Sequence, residues 1–133
     1  MASVDTPRIL VVDDDREFQR SLLKIFYKAG YQVNVASDSV QALAVLNRRH
    51  YDLVVLDLKM PGKSGLEVLR EIKTTTPDSK VIIVTAFGDS TSYREAMAIG
   101  ACDYLNKPVK RKEILEASRK ALTRFENSFD ALG

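Results

Sequence analysis

The chain has 133 residues, 45% of them apolar and 29% charged, enough for one domain that buries a core without disulfides or a structural metal. A net charge of +2 is too small to argue for nucleic acid or a membrane surface as partner. The single cysteine, Cys102, excludes an internal disulfide; with no signal-peptide core and no run near the ~20 apolar residues of a membrane span, a cytoplasmic location is expected.

The apolar run Ile9-Leu10-Val11-Val12 closes on Asp13-Asp14-Asp15, and Arg8 to Asp13 reads as a first strand. A helix follows to Ala29, capped by Asp15 and stopped at Gly30, with Phe18, Leu22 and Ile25 on one stripe. Tyr31 to Ala36 alternates and makes a second strand. Asp38 opens a second helix, with Val40, Leu43 and Ala44 expected inward and His50 at the surface at its end. Asp52 to Asp57 is a third strand, whose apolar run Leu53-Val54-Val55-Leu56 again ends in a carboxylate. The capping box Ser64-x-x-Glu67 starts a third helix with Leu66, Leu69 and Ile72 inward, and Pro77 ends that region.

Lys80 to Thr85 is apolar from Val81 to Val84, as a strand covered on both faces should be. A fourth helix runs from about Asp89 to Ile99 and stops at Gly100; Cys102 to Leu105 is a fifth strand, and the thiol is given no role. Lys110 to about Phe125 is a fifth helix whose apolar stripe is Ile114, Ala117, Ser118, Ala121, Leu122 and Phe125. Its basic start, Lys110-Arg111-Lys112, reads as a solvated helix face. Five strand–helix units in alternation predict an α/β fold, a doubly wound parallel sheet with helices in layers on both faces. The domain is expected to span residues 7–125, with residues 1–6 and 127–133 frayed.

Four positions should converge on the carboxyl edge of that sheet, where such sheets collect ligands. They are Asp13-Asp14, Asp57, Thr85, and Lys107 in the segment Asn106-Lys107-Pro108. Crowded carboxylates raise one another's pKa, and a divalent cation removes that cost. Asp57 suits a carboxylate nucleophile that forms an aspartyl phosphate. Asp13 and Asp14 suit magnesium, which prefers oxygen ligands and is commonly bound by one or two carboxylates plus phosphate. Thr85 offers a hydroxyl and Lys107 a compact cation to a phosphoryl group.

Val11-Val12-Asp13-Asp14-Asp15, Leu56-Asp57-Leu58-Lys59-Met60-Pro61-Gly62 with Gly65, Thr85-Ala86 and Lys107-Pro108 together resemble the receiver domain of two-component response regulators. The resemblance covers residues 7–125 and implies the flavodoxin-like strand order 2-1-3-4-5, an order the handful of known doubly wound sheets includes. It implies that Asp57 is the phosphoacceptor, that Mg2+ is held by Asp13, Asp14, Asp57 and the backbone carbonyl of Lys59, and that Lys107 pairs with the phosphoryl group. It also implies a cis Lys107-Pro108 bond, and a switch made of Thr85 and Tyr104 that acts on the surface of helix four, strand five and helix five. The stretch from Thr85 to Asp89, with Gly100-Ala101 and Asp103-Tyr104-Leu105, looks most like receivers of nitrogen-regulation-type activators.

The partners implied are a histidine kinase or histidine phosphotransfer protein as donor and a downstream effector or fused output domain. The helix four–strand five–helix five face is the one for a homodimer, and direct nucleic-acid binding is not expected. The domain would be a phosphoacceptor with at most slow self-dephosphorylation rather than an enzyme. Lys59 and Phe87, which should flank the phosphoryl group without orienting water, predict a long-lived adduct. Two other readings stand beside this one. A magnesium-dependent phosphatase with an aspartyl nucleophile usually carries an acid two residues on, where Lys59 stands here. A receiver-like module that signals without phosphorylation would not need the complete set of Asp13, Asp14, Asp57, Thr85 and Lys107.

Overall fold

The computed structural model describes residues 6–86 and 88–132, with side chains to Thr123. The elements alternate without exception: β1 (Arg8–Val12), α1 (Arg16–Lys28), β2 (Gln32–Ala36), α2 (Ser39–Arg48), β3 (Leu53–Leu56), α3 (Gly65–Thr75), β4 (Lys80–Thr85), α4 (Ser90–Ile99), β5 (Asp103–Asn106) and α5 (Arg111–Leu132). The five strands form one parallel sheet in the order β2-β1-β3-β4-β5. The expected strand order and fold class therefore hold.

Side chains along the central strands alternate between two cores. Leu10, Val12, Val54, Leu56, Val81 and Ile83 pack under α2, α3 and α4. Ile9, Val11, Leu53, Val55, Ile82 and Val84 pack under α1 and α5. Both faces are covered, so these strands read as unbroken apolar runs. The edge strand β2 keeps an exposed–half-buried alternation instead.

Helix ends follow the capping chemistry. Asp15 accepts from the amides of Glu17 and Phe18, and Ser64 with Glu67 forms a complete capping box. Gly65 is required by close approach: a Cβ there would stand 2.4 Å from Leu58 Cα and 2.6 Å from the Asp57 carbonyl oxygen. That seats α3 directly on the loop that follows β3.

The phase of α2 differs from expectation. Ser39, Ala42 and Leu46 face the core, whereas Val40 is 77% exposed and Ala44 is exposed too; Leu43 is half-buried. The Asp38 cap fixes where the helix begins, and small residues at positions 39 and 42 let α2 come close to the sheet. In α1 the buried stripe is Gln19, Leu22 and Phe26, with Phe18 and Ile25 half-buried beside it. β5 starts at Asp103, which leaves Cys102 half-buried just before it. Ile114, Ala117, Ser118 and Ala121 of α5 are buried as expected, while Phe125 lies beyond the described side chains. The α5 backbone stays helical to Leu132, past the expected end near Phe125, because neither Gly nor Pro interrupts residues 109–132.

Candidate functional site

β1 and β3 are neighbours, so the acids that follow them are neighbours too. The Asp13 amide still donates to the Ala36 carbonyl and the Asp57 amide to the Val12 carbonyl, each at 3.0 Å. Both carboxylates are thus held one step beyond the ladder, at the carboxyl rim. Asp13 is 1% exposed and Asp57 5%, while Asp14 lies open to solvent. One carboxylate oxygen from each of the three lies within 4.8 Å of the others.

Lys107 reaches this group from the end of β5. Its amide donates to the Thr85 carbonyl at 2.9 Å, and the following peptide bond to Pro108 is cis. Its ammonium stands 2.8 Å from Asp13 Oδ2 and 3.3 Å from Asp57 Oδ2. The remaining oxygens are held by backbone: the Asp15 amide donates to Asp13 Oδ1 at 2.9 Å, and the Lys59 amide to Asp57 Oδ1 at 3.2 Å.

Burial dominates the electrostatics of Asp13. It pushes the carboxyl above its ordinary value, and the Asp57 charge adds to that; the Lys107 ammonium and the Asp15 amide pull it down by less. Lys107 shows the reverse balance. Burial would lower its pKa, but the close approach of the Asp13 and Asp57 carboxylates outweighs it and holds the ammonium charged more firmly than usual.

This donor set fits a small hard cation. It consists of oxygens alone, one carboxylate is open to solvent, and Asp13 Oδ2 meets the ammonium without a well-directed hydrogen bond. Asp13, Asp14 and Asp57 could therefore hold magnesium.

The other expected site residues divide. Thr85 ends β4, fully buried, in register with Asn106 of β5. Lys59 sits in the loop after Asp57. Tyr104 lies apart from the acids, on the α4 side. Its hydroxyl is 2.7 Å from Ser92 Oγ, and its ring meets Tyr93 edge-on with centroids 5.3 Å apart. Gly88 leaves the room for it, since a Cβ there would stand 2.7 Å from the Tyr104 hydroxyl.

Three residues gain parts that sequence reasoning did not assign. Gln19 is buried and donates from its amide to the Asp13 carbonyl, and to Ser37 Oγ at 3.0 Å. Phe18 lies under the Lys107 ammonium, 4.4 Å from ring centroid to nitrogen. Ser92 joins the α4 cap to Tyr104. A polar residue on an otherwise apolar helix face was a visible signal for Gln19; the other two depend on contacts between distant segments.

An acidic trio facing a lysine at the carboxyl edge of a 2-1-3-4-5 parallel sheet defines a class, that of phosphoacceptor signalling modules. The family model of the response regulator receiver domain matches residues 9–119, and the chain belongs to that family. It is a receiver of two-component phosphorelay signalling. It is similar to sporulation initiation phosphotransferase F of Bacillus subtilis, 37% identical over 115 residues that cover 86% of this chain and 93% of that protein. It is also similar to response regulator MprA of Mycobacterium sp. (strain KMS), 44% identical over 118 residues. That match covers 88% of this chain but spans only 51% of the MprA regulator. Among solved structures, a CheY-like receiver domain from Methanospirillum hungatei JF-1 superposes with a TM-score of 0.90 at 30% identity, covering 93% of this chain and 99% of that one. A receiver domain from Clostridium thermocellum gives 0.85 at 36% identity, covering 90% and 97%.

Proposed function

We propose that Asp57 is the residue that accepts the phosphoryl group, from a histidine kinase or a histidine phosphotransfer protein. The observation that carries this reading is the Asp57 carboxylate, nearly buried, with one oxygen fixed by the Lys59 amide and the other facing the Lys107 ammonium. In the transfer an Asp57 oxygen bonds to phosphorus while the P–N bond to the donor histidine breaks. The imidazole nitrogen leaves with the bonding pair and then takes a proton. The chain's part is to orient Asp57 and to place cations where charge gathers on the phosphoryl oxygens.

Asp13, Asp14, Asp57 and the Lys59 carbonyl are the residues we assign to magnesium, which when bound neutralises phosphoryl charge. Lys107 then pairs with a phosphoryl oxygen, and the Thr85 hydroxyl donates to another. Movement of Thr85 opens space for Tyr104, which now leans on α4, and this biases the α4–β5–α5 surface between two arrangements. The functional unit is residues 7–125, acting on an effector protein or a fused output domain or by homodimerising through that surface, without binding nucleic acid itself. We place the domain in the cytoplasm; no helix among the described residues is long and apolar enough to cross a membrane. Turnover by the domain alone is limited to slow self-dephosphorylation. Of the two residues that would set its rate, Lys59 follows Asp57 in the loop, and Phe87 lies outside the described residues.

Incubation with acetyl phosphate and magnesium, followed by intact mass, tests the assignment. One phosphoryl adduct per chain is expected, and none in Asp57→Asn. An adduct that persists in Asp57→Asn would place the acceptor elsewhere.

A further inference from the structure

We infer that Phe18 is a positioning residue for Lys107, its ring face holding the ammonium at the phosphoryl site through a cation–π contact. The inference deepens the reading of Asp57 as acceptor and Lys107 as its cationic partner, and it rests on that reading.

Two anions stand beside the ammonium, Asp13 at 2.8 Å and Asp57 at 3.3 Å. The Phe18 ring also stands there, 4.4 Å from its centroid and well inside the ~6 Å reach of a cation–π contact. The Lys107 side chain is only 17% exposed, so little water competes for it, and such contacts strengthen on desolvation.

Phe18 is fixed to the same frame as the acids. Asp13 Oδ1 takes the Asp15 amide at 2.9 Å, and Asp15 Oδ1 in turn takes the Phe18 amide at 3.2 Å. Two hydrogen bonds thus link the carboxylate that binds the ammonium to the backbone that carries the ring. The α1 cap sets the height of Phe18 at the rim.

The ring has a use because both anionic partners change during the reaction. When an Asp57 oxygen bonds to phosphorus, its charge moves out onto the phosphoryl oxygens. Asp13, as one of the residues assigned to magnesium, would then share its carboxylate between the metal and Lys107. The Phe18 ring is a neighbour whose character is the same before and after. It keeps the ammonium in place while its ion pairs are exchanged, and it covers one side of it against water.

The experiment follows adduct formation from acetyl phosphate with magnesium by intact mass, alongside the melting temperature. In that reaction an Asp57 oxygen bonds to phosphorus as the bond to the acetate oxygen breaks, and acetate leaves with the electron pair. A small donor keeps any docking by α1 on a protein donor out of the measurement. Phe18→Leu, which keeps apolar bulk without a ring face, should slow the adduct about three- to tenfold. Phe18→Tyr should stay within about twofold, because its face carries similar charge. Phenylalanines bearing one, two and three fluorines at position 18 should slow it in graded steps while the melting temperature holds. A flat fluorine series, or Phe18→Leu as fast as Phe18, would overturn the role of the ring. Absence of any adduct on the unsubstituted chain would overturn the reading of Asp57 itself, and this inference with it.

Discussion

α3 and α4 lie on the same face of the sheet, yet they are held very differently. α3 buries Gly65, Val68, Leu69 and Ile72, and its N-terminus is seated on the loop that follows Asp57. α4 fully buries only Ala96, and Tyr93 stands 47% exposed on it. The strands beneath repeat the contrast: β3 is buried throughout, whereas β5 is half-buried with an exposed end. Segments with few buried apolar contacts open at the lowest free-energy cost. One layer therefore contains a fixed half, which aims the acceptor carboxylate, and a loosely held half, which can answer it.

The largest test of this contrast is a pair of core truncations. Leu69→Ala removes a fully buried side chain from α3 and should cost about 3 kcal/mol in urea unfolding. Met97→Ala, half-buried in α4, should cost about 1 kcal/mol. Equal losses would erase the distinction between the two helices.

The same contrast decides what could be read from the chain alone. β3 was legible because four apolar residues stand between Asp52 and Asp57, and burial on both faces needs nothing subtler. The α3 start was legible because Ser64 and Glu67 satisfy each other's amides locally. The phase of α2 was not. Hydropathy ranks Val40 inside, but close approach to the sheet favours the small Ser39 and Ala42, and that preference exists only once the layers meet. The site divides in the same way. Asp13, Asp57 and Lys107 announce themselves as charges at strand ends. Phe18 sits on a helical stripe and reads as ordinary core, and nothing local marks Ser92. Their second roles come from Lys107 and Tyr104, which lie far off in sequence.

Magnesium sharpens the contrast at intermediate size. Because Asp13, Asp14 and Asp57 crowd together, added magnesium should raise the melting temperature by mass action, equivalent to about 1.4 kcal/mol at ten times its dissociation constant. Amide protection should rise at the ends of β1 and β3 and change little in α4. Asp14 is exposed, so Asp14→Ala should leave the fold intact and abolish the effect. A melting temperature indifferent to millimolar magnesium would mean that the three carboxylates share no cation.

The smallest effect concerns how the loose half is tied down. The two helices are capped by different groups at the N-cap: α3 by the Ser64 hydroxyl, with the Glu67 carboxylate on the Ser64 amide, and α4 by the Asp89 carboxylate. The Ser92 amide, and then the Ser92 hydroxyl, hold Asp89 below its ordinary value of 3.8. A carboxyl whose folded value is depressed contributes stability that is full above 3.8 and is lost as pH falls from there through the folded value. The same Ser92 hydroxyl lies 2.7 Å from the Tyr104 hydroxyl, so loosening the cap should free Tyr104 as well. Amide and ring resonances followed by NMR from about pH 6 to about pH 2 read this directly. The Ser92 amide should move with an inflection below 3.8, the Tyr104 ring should follow it, and the buried Val54 and Val55 amides of β3 should stay still. In Asp89→Asn, which keeps an acceptor at the cap without a titrating charge, the Ser92 response should disappear while α4 remains helical. An inflection at or above 3.8, or a β3 response as large as that of α4, would show that Asp89 does not set the hold on this side of the molecule.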